Sequence, residues 1–177
     1  VVSTAPSSTA FDHAVLETET EYLTVNTSVQ ITAKGVSATG NVAELPEGAA
    51  WVVSNESWGT ITADGIFTAK RLGAVDVQLV LDGQILGTKT MYVVNPDNLY
   101  FTKTSVDTVY GATVALPIRA LYEGKTVAIN ADDVVFTLGN SKAGSFDGFN
   151  FVCNSNENSG IKNVSIVAAL ATDDSVK

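Results

Sequence analysis

The chain has 177 residues, of which 45% are apolar and only 16% charged, with a formal net charge of −9. That balance excludes nucleic acid and anionic membrane surfaces as partners, since both are held by an excess of Lys and Arg. No run reaches the ~18 apolar residues of a membrane helix.

Val and Thr are abundant while the usual helix fillers are scarce, a profile that suits pleated, half-buried strands. The opening Val1-Val2-Ser3-Thr4 has neither an initiator Met nor a signal-peptide pattern. We therefore expect an internal fragment of a longer secreted protein, with residues 1–10 as a linker. One cysteine, Cys153, and one histidine, His13, allow no intramolecular disulfide, no Cys/His zinc set and no Cys–His nucleophile pair. Cys153 reads as a buried core thiol, and no cofactor is implied.

Ala14–Leu16 and Glu21–Thr24 are the first strands, then Val29–Ala33, whose alternation buries one face and wets the other. Gly40-Asn41 turns the chain, and Ala50–Ser54 forms a strand around Trp51. Gly59–Thr62 and Ile66–Ala69 flank the turn Ala63-Asp64-Gly65, a hairpin signal. Val75–Leu81 and Ile85–Val94 flank a second, Asp82-Gly83. No window shows a helical period.

The second half echoes the first. Ala14-Val15-Leu16 matches Leu99-Tyr100-Phe101 at an offset of 85 residues. Val29, Ile31 and Ala33 match Val114, Leu116 and Ile118, Trp51 matches Phe136, and Gly59 matches Gly144, all at the same offset. Asp64-Gly65 matches Asp147-Gly148, and Val75, Val77 and Leu81 match Val164, Ile166 and Leu170, with slippage confined to loops. Such a repeat is too long for a solenoid and suits two tandem immunoglobulin-like β-sandwiches, residues 11–95 and 96–177. Their join, Val94 to Leu99, contains Pro96, which stiffens it. After Leu81 the first copy continues for thirteen residues that hold its last strand, whereas only Ala171 to Lys177 come after Leu170. The second copy is therefore expected to lack that strand, through truncation or as a strand-accepting edge.

The run Trp51 to Lys70, with Ser54-Asn55, Ile61, Asp64-Gly65 and Thr68-Ala69, followed by Gly73-Ala74-Val75-Asp76-Val77, resembles bacterial immunoglobulin-like domains of group 2. The second copy departs from the pattern by lacking the Thr-Ala step after its Asp-Gly turn. The resemblance implies a secreted or cell-surface bacterial protein in which such domains serve as spacers, stalks or adhesin parts beside other domains. Phe11 to Leu16 also resembles the segment just after the catalytic domain in some phosphodiester-glycosidase proteins, which implies an accessory place beside an enzyme.

Candidate chemistry is sparse. Trp58, in the turn Asn55–Gly59, could stack on a sugar ring, while Trp51 and Phe136 read as core aromatics. The polar loop holding Asn154, Asn156 and Asn158 could carry an adhesive contact, since sandwich loops carry binding sites. Glu17, Glu19 and Glu21 share a face if extended, but read as a solvated edge without a calcium-loop pattern. Asp132-Asp133 and Asp173-Asp174 are adjacent pairs that point to opposite strand faces. They therefore do not face each other across a cleft as glycoside hydrolysis requires. The expected function is a non-catalytic spacer whose partners are neighbouring domains of the parent chain. The alternatives are a module binding a glycan or surface protein, and an accessory region of a carbohydrate-active enzyme.

Overall fold

The computed structural model describes residues 10–156 and 160–172. The chain divides into two compact units, Val1–Val94 and Asn95–Lys177. Both are all-β; among the described residues the only helical pieces are two short 3₁₀ turns.

The first unit holds β1 (Phe11–Thr18), β2 (Tyr22–Leu23), β3 (Ser28–Ser37), β4 (Val42–Ala43), β5 (Ala50–Val53), β6 (Gly59–Ile61), β7 (Ile66–Ala69), β8 (Gly73–Leu81) and β9 (Gln84–Val93). One layer runs β1-β3-β7-β6, with β4 on β3; the other runs β2-β9-β8-β5. Alternation decides what each strand buries. On β8, Val75, Val77 and Leu79 alternate inward and are buried, as are Ile31 of β3 and Phe67 of β7. β9 adds Met91 and Val93, and β2 adds Leu23, all buried. β2 is only two residues long but pairs parallel to the end of β9, Leu23 opposite Val93.

The second unit holds β10 (Asn98–Phe101), β11 (Thr113–Ala115), β12 (Ile118–Tyr122), β13 (Lys125–Ala128), β14 (Val134–Leu138), β15 (Gly144–Asp147), β16 (Asn150–Cys153) and β17 (Ile166–Leu170). Its pairings repeat those of the first. Ala14 faces Gly35 between β1 and β3, and Leu99 faces Ala120 between β10 and β12. Val29 faces Phe67, and Val114 faces Phe151. Gly59 faces Ala69, and Gly144 faces Cys153. Trp51 faces Leu79, and Phe136 faces Ala168.

The units differ in two places. The counterpart of β3 is split into β11 and β12 at Leu116-Pro117, because Pro117 has no N–H to give the ladder. Its carbonyl is still used, accepting from the Thr102 backbone N–H at 2.7 Å. The second difference is that, among the described residues, β17 pairs with β14 alone, whereas β8 is flanked by both β5 and β9.

Gly59 and Gly144 explain part of the repeat. A methyl group on Gly59 would overlap the Phe67 ring, and one on Gly144 would meet the Phe151 ring and the Val152 carbonyl. Each glycine leaves room for the aromatic ring of the neighbouring strand. We predict that Gly59→Ala and Gly144→Ala each destabilise their unit by about 1–3 kcal/mol through overpacking. Phe67→Ala should cost about 3–5 kcal/mol. Urea unfolding followed by circular dichroism reads these values, and unchanged midpoints for the glycine variants would contradict the packing account.

Candidate functional site

Trp58 lies in the β5–β6 turn. Asn55 shapes that turn: its side-chain oxygen accepts from the Ser57 N–H at 2.9 Å, and its carbonyl from the Trp58 N–H at 3.0 Å. The Trp58 carbonyl in turn accepts from the Lys70 N–H at 2.8 Å. The Trp58 ring is half-buried. Its six-membered ring fills the space where a side chain on Gly73 would project, and Gly73 holds φ +129°, a conformation open to glycine. The Arg71 guanidinium stands over the ring, 5.5 Å from its centre. Trp58 is thus engaged within its own unit.

The second unit builds the same turn at the same offset. The Asn140 side chain accepts from the Lys142 N–H at 3.0 Å, its carbonyl accepts from the Ala143 N–H at 3.0 Å, and the Ala143 carbonyl accepts from the Asn154 N–H at 2.8 Å. Asn154 completes the turn. Its amide donates to the Lys142 carbonyl at 2.8 Å and its side-chain oxygen accepts from the Asn156 N–H at 2.8 Å. Asn158 lies outside the described residues. Trp58 and the Asn154–Asn156 loop belong to different units and form separate turns. The shared Asn55 and Asn140 were legible as identical residues at the repeat offset but were not singled out from the sequence.

The remaining candidates are dispersed over both units. Glu17 pairs with Lys34 and Glu21 with Lys89, and β1 ends between them at Thr18, so the three glutamates do not form one extended face. Asp133 caps a 3₁₀ turn: its carboxylate accepts from the Asn130 N–H at 2.9 Å, while Asn130 receives the Asp132 N–H at 2.9 Å. Asp173 and Asp174 lie outside the described residues. His13 is exposed and paired with its neighbour Asp12 at 2.9 Å. Trp51 is half-buried rather than buried, its indole lying against Gly65. Phe136 stacks on Phe146 with ring centres 4.9 Å apart. Cys153 corrects the sequence expectation: it is half-buried and lines a cleft, because it occupies the end of β16 beside an incompletely covered core. Among the described residues no group of three or more His, Cys, Asp or Glu gathers to hold a metal ion, and no helix is long and apolar enough to cross a membrane.

That cleft lies wholly within the second unit. Two adjoining depressions of about 410 Å³ each share Phe151 and Val164 in their walls. One is completed by Tyr110, Ala143 and Cys153, the other by Phe101, Leu116 and Ile166. Ala143 stands at the turn position that Trp58 holds in the first unit. Val164 and Ile166 are half-buried, whereas their counterparts Val75 and Val77 are buried. Exposed Val106, Val109 (71% accessible) and Tyr110 border the opening.

No protein-family model matches the sequence, and no curated protein matches it. Among solved structures, the chain is similar to domains 4 and 5 of the S-layer protein SbsC. That match has 14% identity and a TM-score of 0.39 over 92% of this chain and 94% of that one. It is also similar to the Escherichia coli adhesin FdeC, with 14% identity and a TM-score of 0.39 over 94% of this chain and 63% of that one.

The paired turns carry a prediction. Asn55→Ala and Asn140→Ala should each cost about 1 kcal/mol, as loss of a side-chain cap does. Chemical denaturation of the two variants reads this, and a cost at one site only would show that the turns are not equivalent.

Proposed function

We propose that this chain is a non-catalytic structural module of a secreted or cell-surface bacterial protein. It is built from two copies of one immunoglobulin-like sandwich and holds neighbouring domains of the parent chain at a set spacing. The observation that carries this reading is the junction. The Val94 N–H donates to the Leu23 carbonyl at 2.9 Å, tying one side into the first unit. The Asp97 N–H donates to the Leu121 carbonyl at 2.9 Å, and the Asp97 carboxylate accepts from the Glu123 N–H at 2.7 Å, tying the other into the second. Only Asn95 and Pro96 lie between these anchors, and Pro96 has a fixed φ. A join of two residues, one of them proline, restricts reorientation far more than a Gly/Ser linker does. The two-copy reading is supported by the repeated strand pairings and the repeated Asn turns.

Small-angle X-ray scattering across a concentration series tests the spacer. A compact chain of this length has a radius of gyration of about 16 Å. The spacer predicts a clearly larger value for a monomer, and a broader distance distribution when Gly-Ser-Gly-Ser is inserted between Asn95 and Pro96. A radius near the compact value would reject it. A glycan-array signal that Trp58→Ala abolishes would move the reading to a binding module instead.

A further inference from the structure

The first unit carries a groove of about 350 Å³. Leu45 and Pro46 of the loop after β4 line it, together with Gln30 of β3, Asp64 of the β6–β7 turn and the half-buried Trp51 of β5. Gly65 lets the indole in. A methyl group on Gly65 would lie 3.2 Å from the indole Cε2, the carbon bonded to the ring nitrogen, and 3.1 Å from Gln30 Nε2. The N–H edge of the indole and the Gln30 amide thus meet over one glycine, which holds φ +82°. Gln30 Nε2 donates to the Ile31 carbonyl at 2.9 Å and to the Asp64 carbonyl at 2.8 Å. Both amide protons are used, so Oε1 is held in place as an acceptor. Among the described residues nothing donates to that oxygen, the indole N–H has no acceptor, and the Asp64 carboxylate has no partner. No buried side-chain nitrogen or oxygen among them lacks a partner, so the indole N–H reaches water. The fold does not demand these groups. In the second unit Phe136 stands at the place of Trp51, and Ala115, beside Val114 on the strand facing Phe151, stands at the place of Gln30.

We propose that this groove binds a neutral saccharide chain. An aromatic surface with a few fixed polar groups around it is the chemistry of a small-molecule site. The C–H groups of a sugar ring pack on the indole. Its hydroxyls both donate and accept: one accepts from the indole N–H, and others donate to Gln30 Oε1 and to the Asp64 carboxylate. An apolar ligand would cover these three groups without pairing them, at a cost for each. An anionic ligand is disfavoured, because no Lys or Arg lines the groove and Glu44 and Glu47 flank Leu45 and Pro46 on its loop. The site adds a binding role to the spacing role and does not depend on it, since the groove lies within the first unit and the spacing rests on the junction.

The probes are the neutral tetrasaccharides of glucose, mannose, galactose and N-acetylglucosamine, titrated into the whole isotope-labelled protein and followed by heteronuclear NMR. The two tryptophans give two indole signals, told apart by Trp58→Phe. The expected result is a saturable shift of the Trp51 indole N–H and of the Gln30 side-chain amide with at least one saccharide, while the Trp58 indole stays in place. Asp64→Ala should weaken that saccharide at least about tenfold, as loss of a hydrogen bond to a charged group does. Asp64 is exposed and its carboxylate holds no contact among the described residues, so the variant should fold, and its circular dichroism checks this. Absence of any shift with every saccharide at about 10 mM overturns the proposal. So does a shift confined to Trp58 or to the second unit, and so does equal binding by Asp64→Ala. A response of Trp51 to tetramethylammonium and to none of the saccharides also overturns it, by assigning the groove to a cation.

Discussion

The seat of one aromatic ring fixes most of each unit. Phe67 is fully buried in the middle of β7, and it is buried because Gly59 on the adjacent strand has no side chain to occupy the same space. The ring can hold that seat only if β7 meets β6 and β3 in the observed register. A slip of one residue would turn Phe67 to solvent and bring Ile66 inward. Phe151 and Gly144 repeat the arrangement, and Leu116 and Ala143 pack with Phe151 into the second core. A side chain excluded at one position and a ring required at another thus set the pairing of three strands at once. The surrounding turns then have little freedom, so the Asn55 and Asn140 turns share their hydrogen bonds although most residues around them differ.

Fixed registers also make the difference between the units interpretable. In the first unit, Leu23, Met91 and Val93 are buried and Trp58 is half-buried against Gly73. In the second, Ala143 stands at the turn position of Trp58. Volume lost from a sandwich is not recovered by collapse when the sheets are held apart by their remaining contacts. The result is a cleft rather than a smaller core, and Val164, Ile166 and Cys153 remain half-buried around it. The stacked rings of Phe136 and Phe146, with Phe149 edge-on to Phe136 at 6.4 Å and Phe146 against Phe151 at 5.8 Å, pack aromatic surface against aromatic surface in the same core.

Much of this architecture could be read from the sequence because it rests on alternation and turn chemistry. Val29–Ala33 alternates, and it lies within β3. Asp64-Gly65 predicts a hairpin, and β6 and β7 flank it with the Gly65 N–H bonded to the Thr62 carbonyl. The strands from Ala50 to Val94 form where the pattern places them. What escaped depends on three-dimensional occupancy. Pro117 interrupts a run whose apolar spacing is unbroken, so period alone concealed the split between β11 and β12. Cys153 looked like a core thiol because composition does not show that its neighbours leave a gap. The acidic run looked like one face because its alternation continues past Thr18, where the strand ends. Asn154 looked available because the residues its amide satisfies are far away in sequence.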